Sequence, residues 1–391
     1  MFEKVIIKNK FTRRINGGHL WVFSNEVVKV PNLPNGEIVE VVNETGNSYG
    51  LAFFNPNSLI CLRLLVSEAV PDLVFFEKRI QKAYNKRLKL INQVSSNSFR
   101  LIFGESDLIP GLVVDKYADY LSFQILSSGL DKFKDVVIQA LVNIIPNIKG
   151  IYEKSDSQTR KLEGLEECVG LVWGEIPSEF VMTENDLNYT ISFEKGQKTG
   201  YFLDQKLNRN YIKSLSNGLS VLDCYTNQGG FILNAAKGGA TKLAAVDISN
   251  EAINRAKQNA ENNGYNDIDF VVSDVPDYLK ECISNEIKWD MVILDPPSFA
   301  KTRKSIPMAK HAYSKINRLA LQIIYENGYL VSSSCTKHIE EELLLELILR
   351  EAQKQGKRLN LIYRGSQPPD HPHLINMPET HYLKFFVFQL V

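Results

Sequence analysis

The strand–helix order of this chain is set by residues 219–249, LSVLDCYTNQGGFILNAAKGGATKLAAVDIS. Two apolar runs, 219–225 and 241–249, enclose a helical segment at 229–239 that ends in a glycine pair. Short apolar runs that alternate with helices are typical of parallel strands buried on both faces. This stretch therefore predicts a parallel, doubly wound α/β sheet.

The same alternation continues toward the C-terminus. A helix is expected at 250–264, with Asn250 as its N-cap and Gly264 just past its last turn. Further strands are expected at 268–274, 289–297 and 328–335. We assign residues 186–391 to a Rossmann-like domain of α/β class.

Two other regions precede this domain. Residues 1–70 contain short apolar runs broken by Gly, Pro and Asn, which is typical of a small β-barrel or sandwich. Residues 71–185 combine strands within 99–126 with helices at 71–93 and 131–145. We assign 71–185 to a central α+β domain.

The composition limits the class of protein. A hydrophobic content of 44% is too high for a disordered chain. No apolar run approaches the ~18 residues of a membrane span, and the first residues lack an apolar signal-peptide core. The five cysteines form no C-x-x-C pair. We therefore expect a cytoplasmic protein with no membrane partner and no metal site.

The net charge is zero, because 45 basic residues balance 45 acidic ones. Basic residues are nevertheless concentrated at 4–14, 78–89 and 298–318, and RNA binding requires positive charge only where phosphates lie. For 78–89, the exposed face of an amphipathic helix is the simpler interpretation. For 298–318, RNA contact is favoured.

Four successive predicted strands end in aspartate, at Asp223, Asp247, Asp274 and Asp295. A single such residue is readily explained as a helix cap. Ligands of open α/β sheets bind beyond the carboxyl ends of the strands. Four strand-end acids in a row therefore favour a ligand site at this edge of the sheet.

The loop between the first two strands indicates which ligand binds there. Gly229 and Gly230 let the backbone approach a ligand closely, and Asp247 is placed to accept both hydroxyls of a ribose. The loop lacks G-x-G-x-x-G, and the chain has no P-loop, so a nucleoside without phosphates fits better than a nucleotide. S-adenosylmethionine is such a ligand, and its sulfonium cation suits acidic neighbours.

The cofactor site is completed by residues at the other strand ends. Asp274 and Val275 are expected to contact the edge of the adenine. We assign Tyr225, Ile248 and Pro296 to the same site.

Residues 295–299, DPPSF, follow the fourth strand of this domain. The two prolines fix the backbone at the rim of the sheet, and an aromatic residue follows. A rigid loop with Asp295 as a cap is one explanation. Asp-Pro-Pro-aromatic at this position favours a methyltransferase that acts on planar nitrogenous bases.

The fifth strand ends in VSSSCT, which places Cys335 at the same rim as Asp295. A thiolate that adds to C6 of cytosine would make C5 nucleophilic toward the methyl donor. Asp295 is our candidate for the acid at N3 of the ring. The thiol must ionise near neutral pH. Candidate helpers are His338, Lys301, Arg303, Lys304 and Lys337, among which the sequence does not choose.

Taken together, the chain resembles the bacterial 23S ribosomal RNA cytosine-C5 methyltransferases that carry an N-terminal PUA domain. The resemblance extends over the whole length. It is carried by HLWVFSNEV (19–27), FRLIFGESDLIPGLVVDKY (99–117), GQKTGYFLDQKLNR (196–209), LDCYTNQGGF, VDIS, DPPSF, SSSCT and DHPHLINMPETHYLKFF (370–386).

The resemblance implies that Cys335 is the nucleophile and Asp295 the active-site acid. It also places the 202–205 segment, with Phe202, Asp204 and Gln205, around the S-adenosylmethionine. Many RNA cytosine-C5 enzymes carry a second cysteine after the first proline of the DPPSF motif. This chain has Pro297 there, so that product-release cysteine is missing.

The implied partner is ribosomal RNA with a single-stranded or flipped cytosine, and the assembly could be a homodimer. Two alternatives stay open. One is methylation of a guanine nitrogen or another RNA base, for which Cys335 is the discriminating residue. The other is a non-catalytic RNA-binding assembly protein that retains the fold.

Overall fold

The computed structural model describes residues 2–91, 95–196, 199–300 and 302–391. The chain divides into two compact units. The first contains 1–182, 191–203 and 369–380, and the second contains 183–190, 204–368 and 381–391.

The first unit begins with a five-stranded sheet. Its elements are β1 (Lys4–Ile7), α1 (Thr12–Asn16), β2 (Trp21–Phe23), β3 (Ile38–Asn43), β4 (Ser48–Phe54) and β5 (Ile60–Leu64). The strand order is β1-β3-β4-β5-β2, in which β1 runs parallel to β3 and the other pairs are antiparallel. Val22, Val41 and Leu62 lie in its apolar core.

A second five-stranded sheet completes the first unit. Its elements are α2 (Leu73–Ile91), β6 (Phe99–Phe103), β7 (Leu112–Tyr117), β8 (Tyr120–Ile125), α3 (Ser128–Asp131), α4 (Lys134–Ile144), β9 (Gly150–Ser155), α5 (Gln158–Leu162) and β10 (Cys168–Gly174). The strand order is β10-β9-β8-β7-β6. Phe76 on α2 and Val137 on α4 share the core with Leu121 of β8.

The second unit is built on a seven-stranded sheet that follows the hairpin β11 (Phe180–Glu184) and β12 (Leu187–Ile191). Its elements are α6 (Lys206–Leu215), β13 (Ser220–Cys224), α7 (Gly230–Lys237), β14 (Lys242–Asp247), α8 (Asn250–Asn262), β15 (Ile268–Val272), α9 (Val275–Ser284), β16 (Trp289–Leu294), α10 (Ile306–Gln322), β17 (Ile324–Ser334), α11 (Glu341–Gln353), β18 (Leu359–Gly365) and β19 (Lys384–Leu390).

The order of this sheet is β15-β14-β13-β16-β17-β19-β18. Strands β13 to β17 are parallel, whereas β19 and β18 are antiparallel additions at one edge. The predicted α/β class and Rossmann-like sheet are therefore confirmed. Parallel strands place all their carboxyl ends on one rim, so the four strand-end aspartates share that rim.

Two local expectations are corrected, and some elements were not predicted. The N-cap of α8 is Ser249, not Asn250, because the Ser249 side chain accepts a hydrogen bond from the backbone N–H of Ala252. Strand β17 begins at Ile324, earlier than the expected residue 328. The sequence did not indicate the short helix α1 or strands β10 to β12.

The first two expected domains fall within one compact unit, although each has its own sheet. Arg63 of β5 explains this, since its buried guanidinium pairs with Glu105 (3.0 Å) and Glu163 (3.1 Å). The expected boundary at residue 185 lies inside the β11–β12 hairpin. As folding domains, 1–70, 71–185 and 186–391 remain a proposal.

Among the described residues, no helix combines the length and the apolar character that crossing a membrane would require. Within the same ranges, no group of three or more His, Cys, Asp or Glu side chains is arranged to hold a metal ion.

Candidate active site

Asp223, at the end of β13, is a fully buried carboxylate. Its Oδ2 accepts hydrogen bonds from Thr226 Oγ1 (2.6 Å) and from the backbone N–H of Ile232 (3.1 Å). Its Oδ1 has no partner within the described ranges. Burial raises the pKa of Asp223 to about 7, and the nearby Asp295 and Asp247 add to the effect. In the ionised form of Asp223, Oδ1 can therefore accept a hydrogen bond from a ligand.

The loop after β13 has an unusual backbone. Tyr225, Asn227 and Gly229 all have positive φ, at 64°, 49° and 83°. Non-glycine residues rarely adopt this conformation, and such residues tend to concentrate at functional sites. The loop is held in place because the N–H of Asn227 donates to Asp247 Oδ2 (3.0 Å). Glycine at 229 meets the requirement for positive φ without a Cβ penalty.

Asp247 is half-buried at the end of β14, and its Oδ1 accepts from the N–H of Ser249 (2.9 Å). Each of its oxygens retains a lone pair for a ligand hydroxyl. Ile248 beside it is 70% exposed, which offers an apolar surface to a flat ring.

At the next strand end, Asp274 is exposed and caps α9 through the N–H of Asp277 (3.3 Å). The side chain of Val275 is buried in the core beside Leu279. Any ligand contact from Val275 would therefore use its backbone.

Asp295 follows β16 and is tied to a second residue from the predicted site. Gln205 Nε2 donates to Asp295 Oδ1 (2.9 Å) and to Ser333 Oγ (3.0 Å). Asn208 Nδ2 donates in turn to Gln205 Oε1 (2.6 Å), which orients the amide. Burial raises the pKa of Asp295 to about 6. Asp204 adds to this rise, while Ser333, Arg209 and Gln205 oppose it.

Asp204 and Gln205 are both buried, just before α6. Oδ2 of Asp204 accepts from the hydroxyl of Tyr382 (2.7 Å). Phe202 belongs to the first compact unit, whereas the other predicted site residues belong to the second. Pro296 is buried directly after Asp295.

Cys335 is half-buried immediately after β17. β17 pairs in parallel with β16, with Leu294 opposite Ser332, so Asp295 and Cys335 follow neighbouring strand ends. The buried hydroxyl of Tyr313 on α10 donates to Ser334 Oγ (2.8 Å) and bonds to Thr336 Oγ1 (2.9 Å). The residues on both sides of the thiol are thus held by one phenol.

The DPPSF loop is fastened to the same segment. Ser298 Oγ lies 3.2 Å from Thr336 Oγ1, and the ring of Phe299 meets that of Tyr313 edge-on at 4.9 Å. The loop that carries Asp295 and the segment that carries Cys335 are therefore connected through Ser298 and Phe299.

Sequence reasoning missed Lys384 on β19. This lysine is 5% exposed, and its Nζ donates to the carbonyl oxygens of Thr336 and Tyr382, both at 2.8 Å. A single lysine inside the apolar run LKFFVF was the available signal. Of the cations that the sequence suggested, Lys301 lies outside the described residues, and the side chain of Arg303 is likewise not described.

Two family profiles match this chain. The profile described as S-adenosylmethionine-dependent methyltransferase matches residues 100–388, and the profile of a PUA-like domain matches residues 5–67. The chain belongs to the S-adenosylmethionine-dependent methyltransferase family.

A relative of this methyltransferase in Vibrio cholerae, named "Ribosomal RNA large subunit methyltransferase I", is 37% identical over 381 residues, which are 95% of this chain and 96% of that protein. Among solved structures, a putative methyltransferase complexed with SAH covers 99% of this chain and 100% of its own, at 24% identity and a TM-score of 0.88. A putative SAM-dependent methyltransferase from Streptococcus mutans gives 23% identity, the same coverage and a TM-score of 0.87. The two structures support the fold.

S-adenosylmethionine is the cofactor of this methyltransferase, and the residues described above fit it. The buried Asp223 Oδ1 lacks a donor within the described ranges, and Asp247 offers carboxylate lone pairs to hydroxyls. The exposed Ile248 offers an apolar face to an adenine. Acceptors and one apolar surface suit a cationic nucleoside, whereas a phosphate would require donors.

Proposed function

We propose that this methyltransferase modifies large-subunit ribosomal RNA and that its product is 5-methylcytosine. The RNA class is supported by the relative from Vibrio cholerae and by the PUA-like domain. The choice of cytosine C5 is carried by one observation. Cys335 and Asp295 follow adjacent parallel strands, at the rim where Asp223 and Asp247 lie.

The chemistry of cytosine explains why a thiol is needed at this rim. C5 is a poor nucleophile in an aromatic ring. A bond from Cys335 Sγ to C6 moves the C5–C6 π electrons toward C5 and N3, and a proton arrives at N3. C5 then becomes enamine-like and forms the new carbon–carbon bond. S-adenosylmethionine would supply the methyl group by cleavage of its S–CH3 bond, leaving as the neutral thioether. Loss of the C5 proton, return of the N3 proton to Asp295 and cleavage of the S–C6 bond restore the aromatic ring, the acid and the thiolate.

Asp295 is suited to donate the proton that N3 of cytosine receives. An unperturbed aspartate is almost entirely ionised at neutral pH. A pKa near 6 leaves about a tenth of Asp295 protonated at pH 7. Gln205, which donates to Oδ1, fixes the direction in which the carboxyl faces. The product-release cysteine of many RNA cytosine-C5 enzymes is replaced here by the exposed Pro297, and the proposal names no residue for removal of the C5 proton.

The lysines of α2 provide a surface for the RNA backbone. Lys78, Lys82, Lys86 and Lys89 line a groove of about 630 Å³ beside the end of α4. All four are exposed, and none forms an ion pair within the described ranges. Glu77, the acidic residue of the groove, accepts from Asn143 Nδ2 (2.7 Å). Concentrated positive charge of this kind attracts phosphates without any overall net charge.

The two arginines in the same segment have structural roles. Arg79 donates to the carbonyl oxygens of Leu65 (2.7 Å) and Leu108. Arg87 is 1% exposed and pairs with Asp107 through two hydrogen bonds of 2.7 and 2.6 Å. The proposed RNA surface therefore consists of the lysines alone.

Nucleoside mass spectrometry of ribosomal RNA tests this proposal. RNA from a strain that lacks the gene is compared with RNA from strains complemented by the wild-type protein, by Cys335→Ala or by Cys168→Ala. Cys168 is also half-buried and lies at the start of β10, in the other compact unit, so it is a matched control. We expect one 5-methylcytosine to disappear, and to return with wild type and Cys168→Ala only.

Three other outcomes would redirect the proposal. Loss of a methylated guanine in place of 5-methylcytosine would assign the enzyme to a different base. Full activity of Cys335→Ala would exclude the covalent route. An unchanged nucleoside profile, with no S-adenosylmethionine binding by calorimetry, would favour a non-catalytic assembly protein.

A cytoplasmic location and a homodimer are part of the same proposal, and light scattering of the purified protein tests the homodimer.

A further inference from the structure

Lys384 is an ammonium group buried among backbone carbonyls. Two of its three N–H donors are taken by Thr336 O and Tyr382 O. No carboxylate within the described ranges lies at ion-pair distance from its Nζ. A buried charge without a counter-ion is costly, so such groups are normally paired. A negative charge that forms close to Lys384 would therefore stabilise its buried ammonium.

The register of β17 and β19 shows which segment lies next to Lys384. In the antiparallel pair of β17 and β19, Lys384 is directly opposite Ser334. Cys335 is the next residue, and Thr336, whose carbonyl binds Nζ, is the one after it. The ammonium is thus bound to the backbone segment that carries the thiol.

We propose that Lys384 is the positioning residue that stabilises the thiolate of Cys335. This inference rests on the proposed function, in which Cys335 is the nucleophile. The bond to Thr336 O holds the ammonium against the 334–336 segment, Tyr382 O takes a second N–H, and the third N–H is available to a thiolate. An opposite charge a few ångströms away favours ionisation of a thiol.

The electrostatic balance around Lys384 agrees with this pairing. Burial lowers the pKa of Lys384 to about 8, and Cys335 is the foremost group that opposes the fall, ahead of Glu340 and Glu341. At neutral pH the amine is therefore still mostly protonated. Above about pH 8 it loses its charge, and the thiolate loses its counter-ion.

The other charged groups near the thiol come from several elements. Burial, and after it Cys335 and Asp295, raise the pKa of Tyr313 on α10 to about 12, so its phenol is neutral at neutral pH. Glu340 and Glu341 lie at the start of α11, and their negative charges disfavour a thiolate. Lys337 is exposed, and the half-buried His338 lies on the same loop. Lys384 is the buried cation held on this segment.

The pH dependence of alkylation at Cys335 tests the inference without substrate or cofactor. The full-length protein is treated with iodoacetamide between pH 5 and 10, and the peptide that carries Cys335 is quantified by mass spectrometry. We expect a wild-type midpoint below the ordinary thiol pKa of ~8.5. Lys384→Met should raise the midpoint by about one pH unit or more, whereas Lys384→Arg should keep most of the effect. Lys337→Met is the control and should leave the midpoint nearly unchanged.

Two results would overturn the inference. One is a wild-type midpoint at or above ~8.5, which needs no variant at all. The other is an unchanged midpoint in folded Lys384→Met, with Lys384→Gln measured in its place if the methionine variant does not fold. Neither result bears on whether Cys335→Ala abolishes cytosine methylation. Failure of the lysine pairing and failure of the proposed function are therefore distinguishable.

Discussion

The side-chain amide of Gln205 donates to Oδ1 of Asp295 at 2.9 Å, although the two residues are 90 positions apart in the chain. Gln205 precedes α6 and Asp295 follows β16, and both are in the second compact unit. The amide is itself oriented by Asn208. Through this hydrogen bond, Gln205 lowers the pKa of Asp295.

Replacement of Gln205 by leucine should raise the pKa of Asp295 above its present value of about 6. A donor to a carboxylate favours the ionised form, so its loss favours the protonated form. A hydrogen bond to a charged group contributes about 1.5–3 kcal/mol, which corresponds to a pKa shift of about one to two units. Carbon-13 NMR titration of labelled aspartate measures the shift. Gln139→Leu, on the exposed face of α4, should leave this titration as in wild type, and equal midpoints in Gln205→Leu would contradict the prediction.

Asp223→Asn should flatten the pH dependence of stability between about pH 4 and 7. The folded state holds a proton on Asp223 up to about pH 7, whereas the unfolded chain releases it near 3.8. Stability of the wild type therefore falls as pH rises through this window, and the loss is complete above it. The amide cannot ionise, so the variant should gain stability relative to wild type as pH rises. Thermal unfolding of both proteins without cofactor, from pH 4 to 8, measures this difference.

The same variant should bind S-adenosylmethionine more weakly. Asparagine can keep the bonds from Thr226 and Ile232 through its oxygen, but it then presents an NH₂ where Oδ1 was open. Loss of one acceptor for a bound donor should weaken binding about tenfold or more. Isothermal calorimetry is the measurement. Undiminished affinity would show that Oδ1 does not face the cofactor.

Tyr313→Phe should slow methyl transfer while leaving cofactor affinity intact. The lost hydroxyl binds Ser334 Oγ and Thr336 Oγ1, on either side of Cys335, and none of these atoms is exposed. We expect a loss of about 1–2 kcal/mol in the free energy of unfolding and a lower kcat. Tyr325→Phe, at a residue 47% exposed, is the matched control. A kcat equal to wild type would mean that the clamp on the 334–336 segment has no role in turnover.

Neutralising the groove on α2 should weaken RNA binding and reduce its dependence on salt. With Lys78, Lys82, Lys86 and Lys89 changed to glutamine, the slope of log affinity against log salt should fall by up to about 3. Filter binding of a large-subunit RNA fragment at several salt concentrations measures it. The control changes the same charge elsewhere, at Lys237, Lys257, Lys280 and Lys354. Equal slopes in both variants would exclude the groove as a phosphate-binding surface.

The order of strands and helices could be predicted from the sequence because its signals are local. An apolar run such as 219–225 and its following glycine pair specify a strand and a turn within a dozen residues. Parallel connections then leave few topologies, so the shared rim of Asp223, Asp247 and Asp295 followed without coordinates. Errors stayed local as well, such as the N-cap of α8 at Ser249.

The sequence alone therefore determined the class of the sheet, the acidic strand ends and the position of Cys335 at the end of a strand. Tertiary structure alone decided which charges surround those residues. Lys384 contacts the 334–336 segment because of the register between β17 and β19. Arg87 is not part of the exposed basic face of α2, because it pairs with the buried Asp107. Both depend on pairings between distant residues, whose energies come from burial and hydrogen bonding and leave no periodic signal in either segment.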